Sequence, residues 1–229
     1  MNHGRTRRRG SQPLDGRALR VSQFLITAVL TEALGVDWLK DEARVPEGRR
    51  HPVATWLLRF HRMLTGPRPP GARDEGNGIV SVEPDGSLQA LLCLAYDMYL
   101  LLHGSALPDR LLRRLRHRDQ FQGTAYEIHI AAVFARLGHA IEWMSSASKR
   151  HHEFTARNKA TGLAVAVETK SRHRQGVLGF QAGVSAATDV RTHATRQLAE
   201  AILQAPGDMP SLCSWTSTCP RPLKESPQP

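Results

Sequence analysis

Over most of the first half of the chain, apolar residues return every three or four positions, which predicts helices. The spacing of Leu25, Val29, Ala33 and Val36 predicts one helix over residues 17–39. A proline near the first turn, with Trp56, Leu57, Phe60 and Leu64 inward, predicts another over 52–64. Leu88, Leu91, Leu92, Ala95, Tyr99 and Leu102 predict a buried helix over 87–103, stopped at Gly104. Pro108 opens a helix over 109–118 with Leu111, Leu112 and Leu115 inward, and 122–137 forms the next, stopped at Gly138. A last helix is predicted over 188–205, with Val190, Ala194, Leu198, Ala201 and Ile202 on one side. Residues 65–78 read as a linker or exposed loop from their Pro, Gly and charge content.

The period then shortens to two. Residues 139–144 (HAIEWM) predict a strand, 145–150 a polar loop, and 151–170 (HHEFTARNKATGLAVAVETK) a β-hairpin. Its strands run over 153–157 and 163–170, and 158–162 is a polar turn ending in Gly162. Alternation puts Leu163, Val165, Val167 and Thr169 on one face and Glu168 with Lys170 on the other. Folding back about the turn brings Glu153 opposite Val167 or Glu168. Two carboxylates about 4 Å apart repel by about 4 kcal/mol at an effective dielectric near 20, so the cluster needs a cation. That cation is either Lys170 alone or a divalent metal held by the carboxylates. The plainer alternative is an ordinary Glu168–Lys170 pair on an exposed strand, contributing at most ~1 kcal/mol. On the helix before, Glu127 shares the inward face with Ala131 and Phe134, while His129 and Arg136 point away. A buried carboxylate there needs a partner, and the helix dipole supplies part of one.

The ordered set Glu127 on a helix, Glu153 on a strand and Glu168-Thr169-Lys170 on the next resembles the PD-(D/E)xK nuclease superfamily. Glu153, after His152, stands where that family usually has Asp after Pro, and Glu168 with Lys170 matches the (D/E)xK half. The resemblance spans residues 121–205 and implies an α/β, restriction-endonuclease-like fold, with a mixed β-sheet flanked by helices. A further strand would follow its last helix. It also implies Glu153, Glu168 and Lys170 as catalytic residues, Glu153 and Glu168 as ligands of Mg²⁺ (or Mn²⁺), and Glu127 as a supporting ligand.

Net charge of +10 and a pI near 10.4 call for a polyanionic partner, most simply DNA or another nucleic acid, or else reflect a basic tail and solvated helix faces. Arg110, Arg113, Arg114, Arg116 and Arg118 are expected to face largely outward. Arg113 and Arg114, with Arg172 and Arg174 after the hairpin, are candidate phosphate contacts. Cys93, Cys213 and Cys219 are too few and unpatterned for a disulfide framework or a zinc site, which fits a reducing cytoplasm. His151 and His152, adjacent on a strand, face opposite ways and make no zinc site either. The apolar stretches 21–34 and 88–102 carry Glu32 and Asp97 and fall short of the ~20 residues of a membrane span.

The chain thus divides into a basic tail expected to be disordered (1–16), a helical region (17–118), a nuclease-like core (119–205) and an irregular tail (206–229). The Ser, Thr and Pro of that last tail read as a truncated or frameshifted end that leaves the sheet incomplete. The function expected is metal-dependent hydrolysis of phosphodiester bonds in DNA. The alternatives are a catalytically inactive nucleic-acid-binding protein of the same fold, and a helical interaction or scaffold protein.

Overall fold

A computed structural model describes residues 26–76, 79–104, 107–144, 152–172, 194–207 and 209–217. The expectations for residues 1–16, for the start of the first helix, for His151 and for Arg174 lie outside these residues.

Helix α1 covers residues 26–34 and α2 covers Val36–Arg44. The single helix expected over 17–39 is therefore two, because Gly35 takes φ +83° and turns the chain out of the helix. Val36, expected inward, is consequently exposed. A short 3₁₀ turn, Glu47–Arg49, leads to α3, Pro52–Thr65. Residues 65–78 are not all loop: β1 (Arg73–Gly76) and β2 (Ile79–Ser81) form a small antiparallel hairpin. Four exposed residues in β1 left no apolar alternation to read. Helix α4 (Gly86–Gly104) buries Leu91, Leu94, Met98 and Leu101, whereas Leu92 is exposed. It is apolar on nearly every side, so periodicity could not set its phase. Its buried Asp97 pairs with His129 at 2.7 Å and with Arg136 at 3.4 Å.

Helices α5 (Asp109–Arg116) and α6 (Arg118–Arg136) follow with one residue between them. Then come β3 (His139–Trp143), β4 (Phe154–Asn158), β5 (Ala164–Arg172), α7 (Ala194–Gln204) and β6 (Ser211–Ser217). The last four strands make one mixed sheet in the order β3-β4-β5-β6, antiparallel except for the parallel β5–β6 pair. The strand that composition denied to the tail is thus present. Ser and Thr suit an edge strand, and β6 is held by its backbone register with β5, Glu168 opposite Cys213, rather than by an apolar stripe.

Helix α6 packs on β3, β4 and β5, and also on α4 and α5. Buried apolar residues from Leu30 and Leu34 through Leu91, Met98, Leu111, Leu115 and Ile128 to Phe154 and Val167 form one cluster. The helical region and the sheet therefore share a core, which crosses the expected division at residue 118. Among the described residues no helix is long and apolar enough to cross a membrane.

His51 marks the middle of the helical side. Its Nδ1 accepts from the Val53 N–H at 3.3 Å, and its ring meets Trp38 and Phe121 edge-on at 5.0 and 4.8 Å. Burial, aided by the Arg118 charge, pushes its pKa down from the usual 6.5 to about 4. Between those values the unfolded chain binds a proton that the folded chain refuses. Stability contributed by neutral His51 is complete above pH 6.5 and is lost as pH falls, by about 3 kcal/mol by pH 4. Urea denaturation at pH 7 and 4.5 should show this fall in the parent and a shallower one in His51→Gln. Parallel pH dependences would overturn the assignment.

Candidate active site

The hairpin of β4 and β5 turns at residues 159–162, where Gly162 has φ +74° and Asn158 Oδ1 accepts from the Ala160 and Thr161 N–H groups at 3.0 and 2.9 Å. Phe154 pairs with Val167, so Glu153, one position before the strand, falls beside Glu168; its N–H donates to the Val167 carbonyl at 3.0 Å. Glu168 and Lys170 share a face, and Lys170 Nζ lies 2.6 Å from Glu168 Oε1. This pair is not on an exposed strand, as the plainer reading required. The Glu168 side chain is 7% exposed and that of Lys170 19%; α7 packs on β5, and its Gln204 Oε1 accepts from Lys170 Nζ at 3.0 Å.

Glu127 arrives from the third turn of α6 and is 5% exposed. Arg114, on α5, reaches it with both guanidinium ends: Nη1 donates to Oε2 at 2.9 Å and Nη2 to Oε1 at 2.7 Å. Arg110, one turn earlier, donates to the Met144 carbonyl at 2.7 Å, just beyond β3. The charges act on one another across these elements. Burial, then the neighbouring Glu168 charge, pushes the Glu153 carboxyl above the usual range, against Arg114, Lys170 and Arg110. Burial, then Glu153, raises Glu127, against Arg114 and Arg110. Three carboxylates and three cations therefore form one electrostatic cluster. Cys213, paired across from Glu168 on β6, has its thiol pushed up by burial and by that carboxylate, so it stays protonated and is no nucleophile.

The structure thus brings together Glu127, Glu153, Glu168 and Lys170. It does not leave the arginines of α5 and the start of α6 outward. Arg114 holds Glu127, Arg110 holds Met144, Arg116 donates to the Ala33 carbonyl at 3.3 Å and Arg118 to that of Arg49. Arg113 alone of the five is exposed. The helix pattern sorted leucines from arginines correctly, but α5 packs along α6, and its polar side meets Glu127 and the carbonyls of Ala33 and Met144. Arg172 closes β5. Sequence reasoning missed Gln204, which carries no local signal, and the inward aim of Arg110 and Arg114. Their i, i+4 spacing, which puts both on one helix face, was the available hint.

Among the described residues no three His, Cys, Asp or Glu side chains are placed to hold a metal ion between them. What the hairpin offers is a pair, Glu153 and Glu168, whose charges press on each other. A hard cation that keeps several waters fits such a pair, as Mg²⁺ or Mn²⁺ does. A structural zinc, which needs four N or S ligands, does not. His152, next to Glu153 in the chain, is buried with its Nε2 2.8 Å from Thr155 Oγ1.

No protein-family model, curated protein or solved structure matches the chain.

Proposed function

We propose that this cluster is the active site of a metal-dependent nuclease that hydrolyses phosphodiester bonds in DNA. The observation that carries the proposal is the convergence of Glu153, Glu168 and Lys170 at the end of one hairpin, with Glu127 behind them. The order α6-β3-β4-β5-α7-β6, with a strand after the last helix, supports a restriction-endonuclease-like arrangement. The net charge of +10 supports a polyanionic substrate.

Glu153 and Glu168 would hold Mg²⁺ or Mn²⁺, which when bound acidifies a water and offsets phosphate charge. Glu168 also holds Lys170 by a short ion pair, and Gln204 fixes the same ammonium from a second direction. The ammonium is thereby aimed, and can orient the attacking water or stabilise charge that develops on the phosphate. Burial keeps the pair in a low dielectric, where each charge acts more strongly than in water.

A second reading is a nucleic-acid-binding protein of the same arrangement without catalysis. It draws on Arg114 and Lys170, which already neutralise two of the carboxylates. Cleavage of plasmid and single-stranded DNA in Mg²⁺ or Mn²⁺ separates the two. Metal-dependent cutting is expected, reduced about 10²–10³-fold in a folded Lys170→Ala variant, the loss typical of one preorganised charge. A parent protein that binds DNA and leaves it uncut would favour the second reading.

A further inference from the structure

We propose that Arg114 is a phosphate-binding residue of this site, and that Glu127 is its positioning residue rather than a metal ligand. The inference rests on the nuclease reading above and reassigns Glu127 within it.

Each Glu127 oxygen accepts one guanidinium N–H, at 2.9 and 2.7 Å, in the two-pronged geometry that arginine favours. A metal on the same oxygens would have to break both charge-assisted bonds, or sit against a guanidinium. Both Glu127 oxygens are therefore engaged by one guanidinium, whereas Lys170 meets Glu168 at Oε1, and the Glu153 and Glu168 charges press on each other against Arg114, Lys170 and Arg110. The arginine is not exhausted by the contact. Of its five N–H groups two face Glu127 and three remain. The Arg114 side chain is 35% exposed against 6% for Glu127, so an incoming ligand can reach the first and not the second. Fixing one edge of a planar guanidinium lowers the entropy lost when the other edge takes a phosphate.

Arg110 makes the same kind of entry. One turn back on α5, it is tied to the Met144 carbonyl and acts on the same two carboxylates. Both side chains belong to the helical region that precedes the sheet, so that region completes the site instead of merely adjoining it. The three cations balance three carboxylates. A divalent ion on Glu153 and Glu168 would turn the balance positive, and a phosphodiester anion would then be attracted to the open edge of Arg114.

The test measures Mn²⁺ affinity by calorimetry without DNA, and affinity for a fluorescent 20-base-pair duplex over a salt series without metal, on the full chain. Glu127→Gln should bind Mn²⁺ within about twofold of the parent, whereas Glu153→Gln should lose most binding. Arg114→Ala should weaken duplex binding about tenfold and lower the salt slope by about one, as loss of one phosphate contact does. Arg114→Lys should recover the slope but not the cleavage rate, because lysine keeps the charge and loses the fork. Glu127→Gln that loses Mn²⁺ as fully as Glu153→Gln would overturn the reassignment, and Arg114→Ala that binds duplex like the parent would overturn the phosphate role. Should either single variant fail to fold, the pair Arg114→Gln with Glu127→Gln removes both charges together and leaves neither buried alone. It should show parental Mn²⁺ binding with weakened duplex binding, and parental duplex binding would again overturn the idea. If the parent itself neither binds Mn²⁺ nor cuts DNA, the nuclease reading fails, while loss of duplex binding in Arg114→Ala still supports the phosphate role.

Discussion

Glu168→Gln is expected to reduce metal-dependent cleavage about 10³-fold while leaving the protein folded. Three effects act together in this substitution. The amide is a poor ligand for a hard cation, so occupancy of the site falls. Charge stabilisation of the reacting phosphate falls with it, a contribution of several kcal/mol. Lys170 also loses the carboxylate 2.6 Å from its ammonium and keeps the Gln204 hydrogen bond and the Glu153 charge. Removing one partner of a buried pair is destabilising, but Lys170 keeps 19% exposure, so water can solvate part of its charge. Circular dichroism and a thermal melt establish folding, calorimetry with Mn²⁺ reads occupancy, and initial rates on plasmid read the chemistry. A folded Glu168→Gln protein that cuts at the parental rate would remove this carboxylate from the reaction centre. A variant that keeps Mn²⁺ affinity but loses rate would instead assign Glu168 to aiming Lys170.

The largest stability effect is expected at Phe154. It is fully buried at the first position of β4, paired with Val167, and its ring meets Trp143 at 5.2 Å and Phe134 at 5.9 Å. Phe154→Ala should cost about 3–5 kcal/mol, because the two neighbouring aromatic rings cannot collapse into the space it leaves. That is a large part of the roughly 5–15 kcal/mol that holds a domain together. The urea midpoint should fall at unchanged slope, with a melting temperature lower by about 10 °C. Phe154→Leu should recover much of the loss. Since Phe154 follows Glu153 directly, residual activity in the alanine variant should fall further than stability alone explains. A cost below about 1 kcal/mol would mean that this end of the hairpin is not anchored by its aromatic cluster.

Whether a feature was legible in the sequence depended on the range of the interaction that makes it. The hairpin was legible because strand alternation and a Gly-ended turn are local: residues i and i+2 share a face whatever surrounds them, so Glu168 and Lys170 had to meet. Helix α3 was legible for the same reason, with Pro52 at its start and Thr65 at its end. Glu127 was inward by helical period alone. The phase of α4 was not legible, because a helix apolar on nearly every side, with its one carboxylate buried, has no polar face to orient it. Nor was the break at Gly35, because a glycine within a helical pattern is compatible with either a helix or its end. Strand β6 was hidden for a different reason. An edge strand held by backbone bonds to β5 needs no apolar alternation, so its Ser and Thr, followed by the prolines beyond it, looked like a tail.

The site divides along the same line. Local periodicity determined that Glu153, Glu168 and Lys170 belong to one hairpin end, and that Glu127 turns inward above them. Only the tertiary structure decided which cation each carboxylate received. Arg114 lies 13 residues from Glu127 and Gln204 lies 34 from Lys170, separations bridged by the packing of α5 on α6 and of α7 on β5. An arginine's charge is written in its codon, but its partner is chosen by which buried carboxylate the packed helices bring within reach, since leaving either charge buried alone would cost several kcal/mol.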